Sequence, residues 1–189
     1  IWDCFGIYSP TPHSAALSDN RMPGARWFTG AQVNYAQQVF RHVALAHEAG
    51  VPAIISHNEK SLAAGKQAQE LSWPELRRQA ASLALHLRAQ GVRKGDRVVA
   101  YLPNIPQAIV AFLATASIGA VWSVCAPDMG TAAVLDRFRQ IEPKVLFCAD
   151  GYLYGGKTFD SQDKVKEILN QPQAQPGTPK PVAAQPVPA

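Results

Sequence analysis

The 189-residue sequence has no apolar run long enough to cross a bilayer. Its longest, Ala108 to Trp122, is interrupted by Thr115, Ser117 and Gly119 and falls short of the roughly 20 residues that a membrane-spanning helix needs. The opening, IWDCFGIYSP, lacks a basic region followed by an apolar one, so no secretory leader is read there. The expectation is a cytoplasmic protein with no membrane partner. The first residue is Ile1 rather than Met, which leaves room for residues upstream. Cysteine is scarce and odd in number: Cys4, Cys125 and Cys148 stand far apart, without a C-x-x-C pair or a nearby His at metal-ligand spacing. Small buried hydrophobes in a reducing compartment are expected, not a disulfide framework or a metal site. Basic charge is not concentrated either. The net charge of +4 comes from 18 Lys and Arg against 14 Asp and Glu, and Arg77-Arg78 and Arg93-Lys94 are the only adjacent basic pairs. A nucleic-acid surface gathers such charge on one face, so no nucleic-acid partner is expected.

Familiar catalytic signatures are missing as well. There is no G-x-x-x-x-G-K-[ST] phosphate loop, no G-x-G-x-x-G after a strand, no G-x-S-x-G and no H-E-x-x-H. The five histidines stand singly. His42 and His47 are five apart, which does not bring both to one helical face as ligands. Asp136, Arg137 and Arg139 read as a solvated stripe. No nucleophile or acid–base constellation assembles, so no catalytic residue is assigned.

What is present is the balance of a globular chain, 47% hydrophobic and 17% charged, enough for one domain with a core. Residues 1–31 show no period and many turn formers (SPTPHS, SDN, MPG, FTG), and read as an irregular arm whose aromatics, Trp2, Phe5, Tyr8, Trp27 and Phe28, pack onto something larger. The spacing of Val33, Ala36, Val39, Phe40, Val43 and Ala44 predicts one helix running to about His47 and stopping at Gly50. A hairpin follows, residues 53–56 against 70–72, with HNEKSLAAGKQAQ as the loop between. Ser72-Trp73-Pro74-Glu75 has the form of a capping box with Pro inside the first turn, and Gly91 marks the end of that helix.

Beyond Gly91 the pattern alternates strand and helix. Strands are expected over residues 97–102, 120–124 and 144–149. One helix is capped by Asn104 and ends at Gly119; another runs from about Thr131 to Ile141 and is halted by Pro143. Strands apolar along their whole length, separated by helices, indicate an α/β fold with a mostly parallel sheet covered by helices on both faces. A loop from Asp150 to Lys157 leads to a polar helix near residues 161–169. Residues 32–170 are read as this α/β unit. After Asn170 the composition changes: QPQAQPGTPKPVAAQPVPA has six prolines in nineteen residues and no aromatics, so residues 171–189 read as a disordered or extended tail.

Three stretches together carry a resemblance. RMPGARWFTGAQVNYA (21–36), GDRVVAYLPNIPQAIVAFLATASIGAVWSVCAPDMG (95–130) and VLDRFRQIEPKVLFCADGYLYGGK (134–157) look like the opening region of the acetoacetyl-CoA synthetases, a group of the adenylate-forming acyl-CoA synthetases. The GDRV turn and the small-residue helix before a GA-V-x-S strand are general to that superfamily. ATASIGAVWS with APDMG, followed by LDRFRQIEPKVLF, favours the acetoacetyl type. The resemblance spans about residues 21–165 and implies the opening part of a large N-terminal domain.

The resemblance implies a ligase that uses ATP, CoA and Mg2+. Acetoacetate and ATP give an acyl-adenylate and pyrophosphate, and CoA then displaces AMP. The family's Ser/Thr/Gly-rich phosphate loop with its Lys, its ribose-binding Asp and its C-terminal catalytic Lys find no counterpart here, so the chain alone is expected to be inactive. Within the matching stretches, Gln37-Gln38 replaces the expected Glu and Asn, and Val124 and Ala126 replace Ser. Two other readings stand beside this one: a non-catalytic module that binds CoA or a protein, and a different short-chain acyl-CoA synthetase. One segment is a candidate ligand contact, Tyr154-Gly155-Gly156-Lys157. Two glycines allow a close backbone approach to an anion, and Lys157 supplies a point charge suited to phosphate. In related acetyl-CoA synthetases a comparable loop carries arginines that contact the CoA nucleotide; Lys157 matches one position, and Tyr154 stands where the other would be. The same residues also make a plain Gly-Gly turn with an exposed lysine.

Overall fold

The computed structural model describes residues 1–170 and 180–183. The arm is less irregular than its composition implies. Ala15–Asp19 (β1) and Arg26–Thr29 (β2) pair antiparallel, Leu17 opposite Trp27, with a register shift between Leu17 and Asp19. The turn formers between them reverse the chain, while strands this short leave no readable alternation. The expected packing of the arm's aromatics is met only in part. Trp2 lies over Phe28 at 4.5 Å and edge-on to His13 at 5.2 Å, whereas Phe5 and Trp27 stay exposed. The arm is tied to the body by Gln38, whose side chain accepts from the Tyr8 amide and donates to the Tyr8 carbonyl. Arg41 adds a bond to the Gly6 carbonyl.

The single helix expected to His47 is two: Tyr35–Phe40 (α1) and Val43–Glu48 (α2). Asn34 fixes the start, its side chain accepting from the Gln37 amide and donating to the Ala116 carbonyl at 2.9 Å. His42 leaves helical conformation at φ −104°, ψ 14°, so the apolar spacing carries across a break in the backbone. Ile54–Ser56 (β3) then pairs antiparallel with Gln69–Leu71 (β4), as expected. Their connection is not all loop: Glu59–Ala63 (α3) is a short helix in which Asn58 and Ser61 form a reciprocal capping box. The long helix Trp73–Ala89 (α4) starts at Ser72, whose hydroxyl accepts from the Glu75 amide.

The alternating half of the chain forms the sheet. Arg97–Tyr101 (β5), Pro106–Ile118 (α5), Val121–Cys125 (β6), Thr131–Ile141 (α6) and Val145–Cys148 (β7) follow in order. β5 lies between β6 and β7 and is parallel to both. The cap of α5 is Ile105, not Asn104. Pro106 crowds the backbone of the residue before it out of helical space, and Ile105 is extended at φ −126°, ψ 157°. At the other end Gly119 takes φ +79°, the left-handed conformation that closes the helix.

Successive residues of a strand face opposite sides, and both sides are filled. Val98, Ala100, Val145 and Phe147 pack with Ala84 and Leu87 of α4 and Ala111 and Ala114 of α5. Val99, Tyr101, Cys125 and Leu146 pack with Val134 and Phe138 of α6 and with Ile168. A third cluster joins Ala36 of α1 to Leu76 and Ala80 of α4 and to Val110 and Leu113 of α5. The parallel sheet with helices on both faces is therefore as expected.

Two further elements depart from expectation. The segment after β7 is a hairpin rather than a loop: Gly151–Tyr154 (β8) and Lys157–Asp160 (β9) pair antiparallel, with Tyr154 opposite Lys157. The polar helix Gln162–Asn170 (α7) follows and contributes Ile168 to the core. Within the tail, Lys180–Ala183 (β10) adds a parallel strand beside β7, so those four residues are extended, one of the two states expected of the tail, and are paired into the sheet as well. A β-ladder asks only for backbone donors and acceptors, which the composition of a Pro-rich stretch conceals; the rest of that tail lies outside the described residues.

Candidate functional site

Ligands of open α/β sheets gather at the carboxyl ends of the strands, and the β8–β9 hairpin begins directly after the carboxyl end of β7. Its turn is only two residues long. Gly155 and Gly156 take φ +59° and +73°, the left-handed conformations that a tight hairpin requires and that side chains disfavour. Stacking of Tyr152 on Phe159, ring centroids 5.1 Å apart and planes 12° from parallel, stiffens the two strands. The Ser161 amide donates to the Asp150 carbonyl and closes the base. Lys157, the first residue after the turn, is exposed and makes no ion pair among the described residues. Tyr154 is exposed as well. The sequence-predicted residues Gly155, Gly156 and Lys157 therefore stand together on one turn.

The residue that sequence reasoning missed is Glu59. Its carboxylate accepts from the Gly155 amide at 2.9 Å and from the Gly156 amide at 2.7 Å. Those two amides, Gly156 first, hold the carboxyl below its ordinary pKa against a small opposing effect of burial. Nothing in the sequence marks this contact, because the partners lie ninety-six and ninety-seven residues apart.

Tyr101 was legible only as a strand residue. Its phenol lies 2.6 Å from the Pro127 carbonyl and 2.8 Å from that of Met129, and so braces the loop that follows β6. Burial chiefly pushes this phenol's pKa up. Burial likewise raises the thiols of Cys125 and Cys148, away from a reactive thiolate. All three cysteines are free; Cys125 is buried, whereas Cys4 is exposed rather than buried as expected. His42 and His47 are both exposed. Among the described residues, no three His, Cys, Asp or Glu side chains converge as metal ligands. The site thus offers backbone donors that suit an anion and one exposed cation, and among the described residues no group there is poised for proton or acyl transfer.

Comparison with known proteins gives this arrangement a context. The family model described as AMP-binding enzyme matches residues 40–187. The chain belongs to that family. The acetoacetyl-CoA synthetase from Streptomyces lividans shares its fold with a TM-score of 0.82 and 45% sequence identity, over 96% of this chain and 29% of that one. The acetoacetyl-coenzyme A synthetase of Rhizobium meliloti is 39% identical over 168 residues, 89% of this chain and 24% of that protein. The mouse acetoacetyl-CoA synthetase is 39% identical over 147 residues, 76% of this chain and 20% of that protein. The chain thus spans about a quarter of the length of these relatives.

Proposed function

We propose that the chain forms one wall of an acetoacetyl-CoA synthetase, in which acetoacetate is activated by ATP to an acyl-adenylate and transferred to CoA. The observation that carries this reading is the 45% identity to the Streptomyces lividans acetoacetyl-CoA synthetase across nearly the whole chain. Activation replaces a poor leaving group on the carboxylate with AMP, a good one, and Mg2+ supplies charge neutralisation to the phosphates. The residues of this chain do not fit that ion or the triphosphate. No acidic cluster converges among the described residues, and the sequence holds no phosphate loop. No adenylation step is therefore derived through them. The acid is a small, soluble metabolite, and a cytoplasmic location suits such chemistry.

The part played by this chain is to receive CoA. Lys157 extends from a stiff hairpin at the carboxyl end of the sheet and offers its ammonium to a phosphate group of the CoA nucleotide; Gly155 and Gly156 let the backbone come close. Tyr154 brings no charge, so a single cation does the work. In the whole enzyme, Lys157→Ala is expected to raise the KM for CoA roughly threefold to tenfold, the range of one charge-assisted contact at an exposed site. ATP–pyrophosphate exchange with acetoacetate should be untouched, because CoA enters only after the adenylate has formed. An unchanged KM for CoA, or an equal loss in the exchange reaction, would rule this role out.

A further inference from the structure

The two amides of the Gly155–Gly156 turn converge on one point, and a carboxylate already stands there. Each oxygen of Glu59 takes one amide, at 2.9 and 2.7 Å. Successive backbone N–H groups in a left-handed turn form a concavity that selects anions, so the pairing is the chemistry of an anion nest and not a chance surface contact. Glu59 is held in place for it. Asn58 and Ser61 cap each other at the start of α3, which fixes the backbone from which the Glu59 side chain reaches across. The carboxylate has no cation partner among the described residues; what it accepts there are the two amides. Lys157 sits one residue beyond the nest, exposed and without an ion pair among the described residues.

A phosphate oxygen and a carboxylate oxygen ask for the same donors, and two amides cannot serve both. We infer that the Gly155–Gly156 turn is an anion nest whose resident occupant is Glu59, and that a phosphate group gains the amides only by displacing this carboxylate. The inference rests on the proposed phosphate contact at Lys157, and it adds a competitor to it. Displacement would also unfasten the hairpin from α3, so ligand arrival and hairpin release are one event. With Glu59 in place, an incoming phosphate meets Lys157 on one side and a like charge on the other.

The test is a titration of the 15N-labelled chain with inorganic phosphate, reading the Gly155 and Gly156 amide signals in the wild type, Glu59→Gln, Glu59→Ala and Lys157→Ala. Removing the charge should tighten phosphate binding about threefold or more, the scale of an exposed charged contact, with saturable movement of both glycine amides. Glu59→Gln keeps the length of the side chain and a carbonyl acceptor, so it reads the competition even if Glu59→Ala loosens the hairpin; contacts between Tyr152 and Phe159 report whether the hairpin persists. Phosphate that binds the Glu59→Gln chain no more tightly than the wild type overturns the inference. So does a response that bypasses the two glycine amides, or that never saturates. If Lys157→Ala leaves the titration unchanged while Glu59→Gln still tightens it, the competition stands and the lysine contact alone falls.

Discussion

Asp96 shows how one side chain can hold two strands at their start. It lies in the turn before β5, accepts from the Arg93 amide at 2.7 Å, and pairs with Lys144 at 2.7 Å just before β7. Burial by itself would raise its pKa, but the lysine and the amide outweigh that effect and the net shift is downward. A carboxyl whose folded pKa is lowered adds stability above its unfolded pKa, and loses it as pH falls through the folded value. Asp96→Asn should therefore cost about 1–2 kcal/mol near neutral pH, from a weakened charged hydrogen bond and the lost pair. The gap between variant and wild type in denaturant melts should close as the pH drops below the ordinary carboxylate range. A gap that is constant across that range would refute the assignment. Nothing in the sequence paired Asp96 with Lys144, since such pairs depend on which strands become neighbours.

At the scale of elements, Gly151 is where the hairpin is least forgiving. A Cβ there would stand 2.6 Å from the Phe159 carbonyl oxygen, which is backbone and cannot swing aside. Gly151→Ala should separate β8 from β9, weaken the Tyr152–Phe159 stack and lower the thermal midpoint; nuclear Overhauser contacts between Tyr152 and Phe159 would disappear. An intact stack in the alanine variant would show that the strand gives way elsewhere. This hairpin also marks the limit of the sequence reading. The strands β5, β6 and β7 were legible because each is apolar on both faces and bounded by helical spacing. β8 and β9 are four residues each, too short for an alternation to stand out, so the Gly-Gly pair was legible as a turn but the strands on either side of it were not. The helix divided at His42 failed for the opposite reason: its apolar spacing continued although its backbone did not. Of the candidate site, Gly155, Gly156 and Lys157 could be read as neighbours in sequence. Glu59 could not, because its role is created by folding.

At the scale of the whole molecule, the sheet has an open flank. β6 is an outer strand among the described residues, and Val121 and Val124 on it are each 49% exposed, unlike the filled faces of β5 and β7. The relatives are about four times as long as this chain, so their sheets have more chain available to cover such a flank. What this chain does contain is a core on both sides of the sheet and a hairpin with anion donors. The sequence holds no phosphate loop, and no acidic cluster converges among the described residues. Positioning and charge stabilisation account for most of the barrier lowering in phosphoryl and nucleotidyl chemistry, so a wall without those groups should not adenylate. The purified chain, incubated with ATP, Mg2+ and acetoacetate, is expected to give ATP–pyrophosphate exchange no faster than a buffer control. It should still show the phosphate-dependent amide shifts described for the hairpin, since those draw only on residues it holds. Exchange above background that persists after repurification and is abolished by a core-disrupting change such as Leu87→Ala would show that the adenylating groups lie within these residues after all.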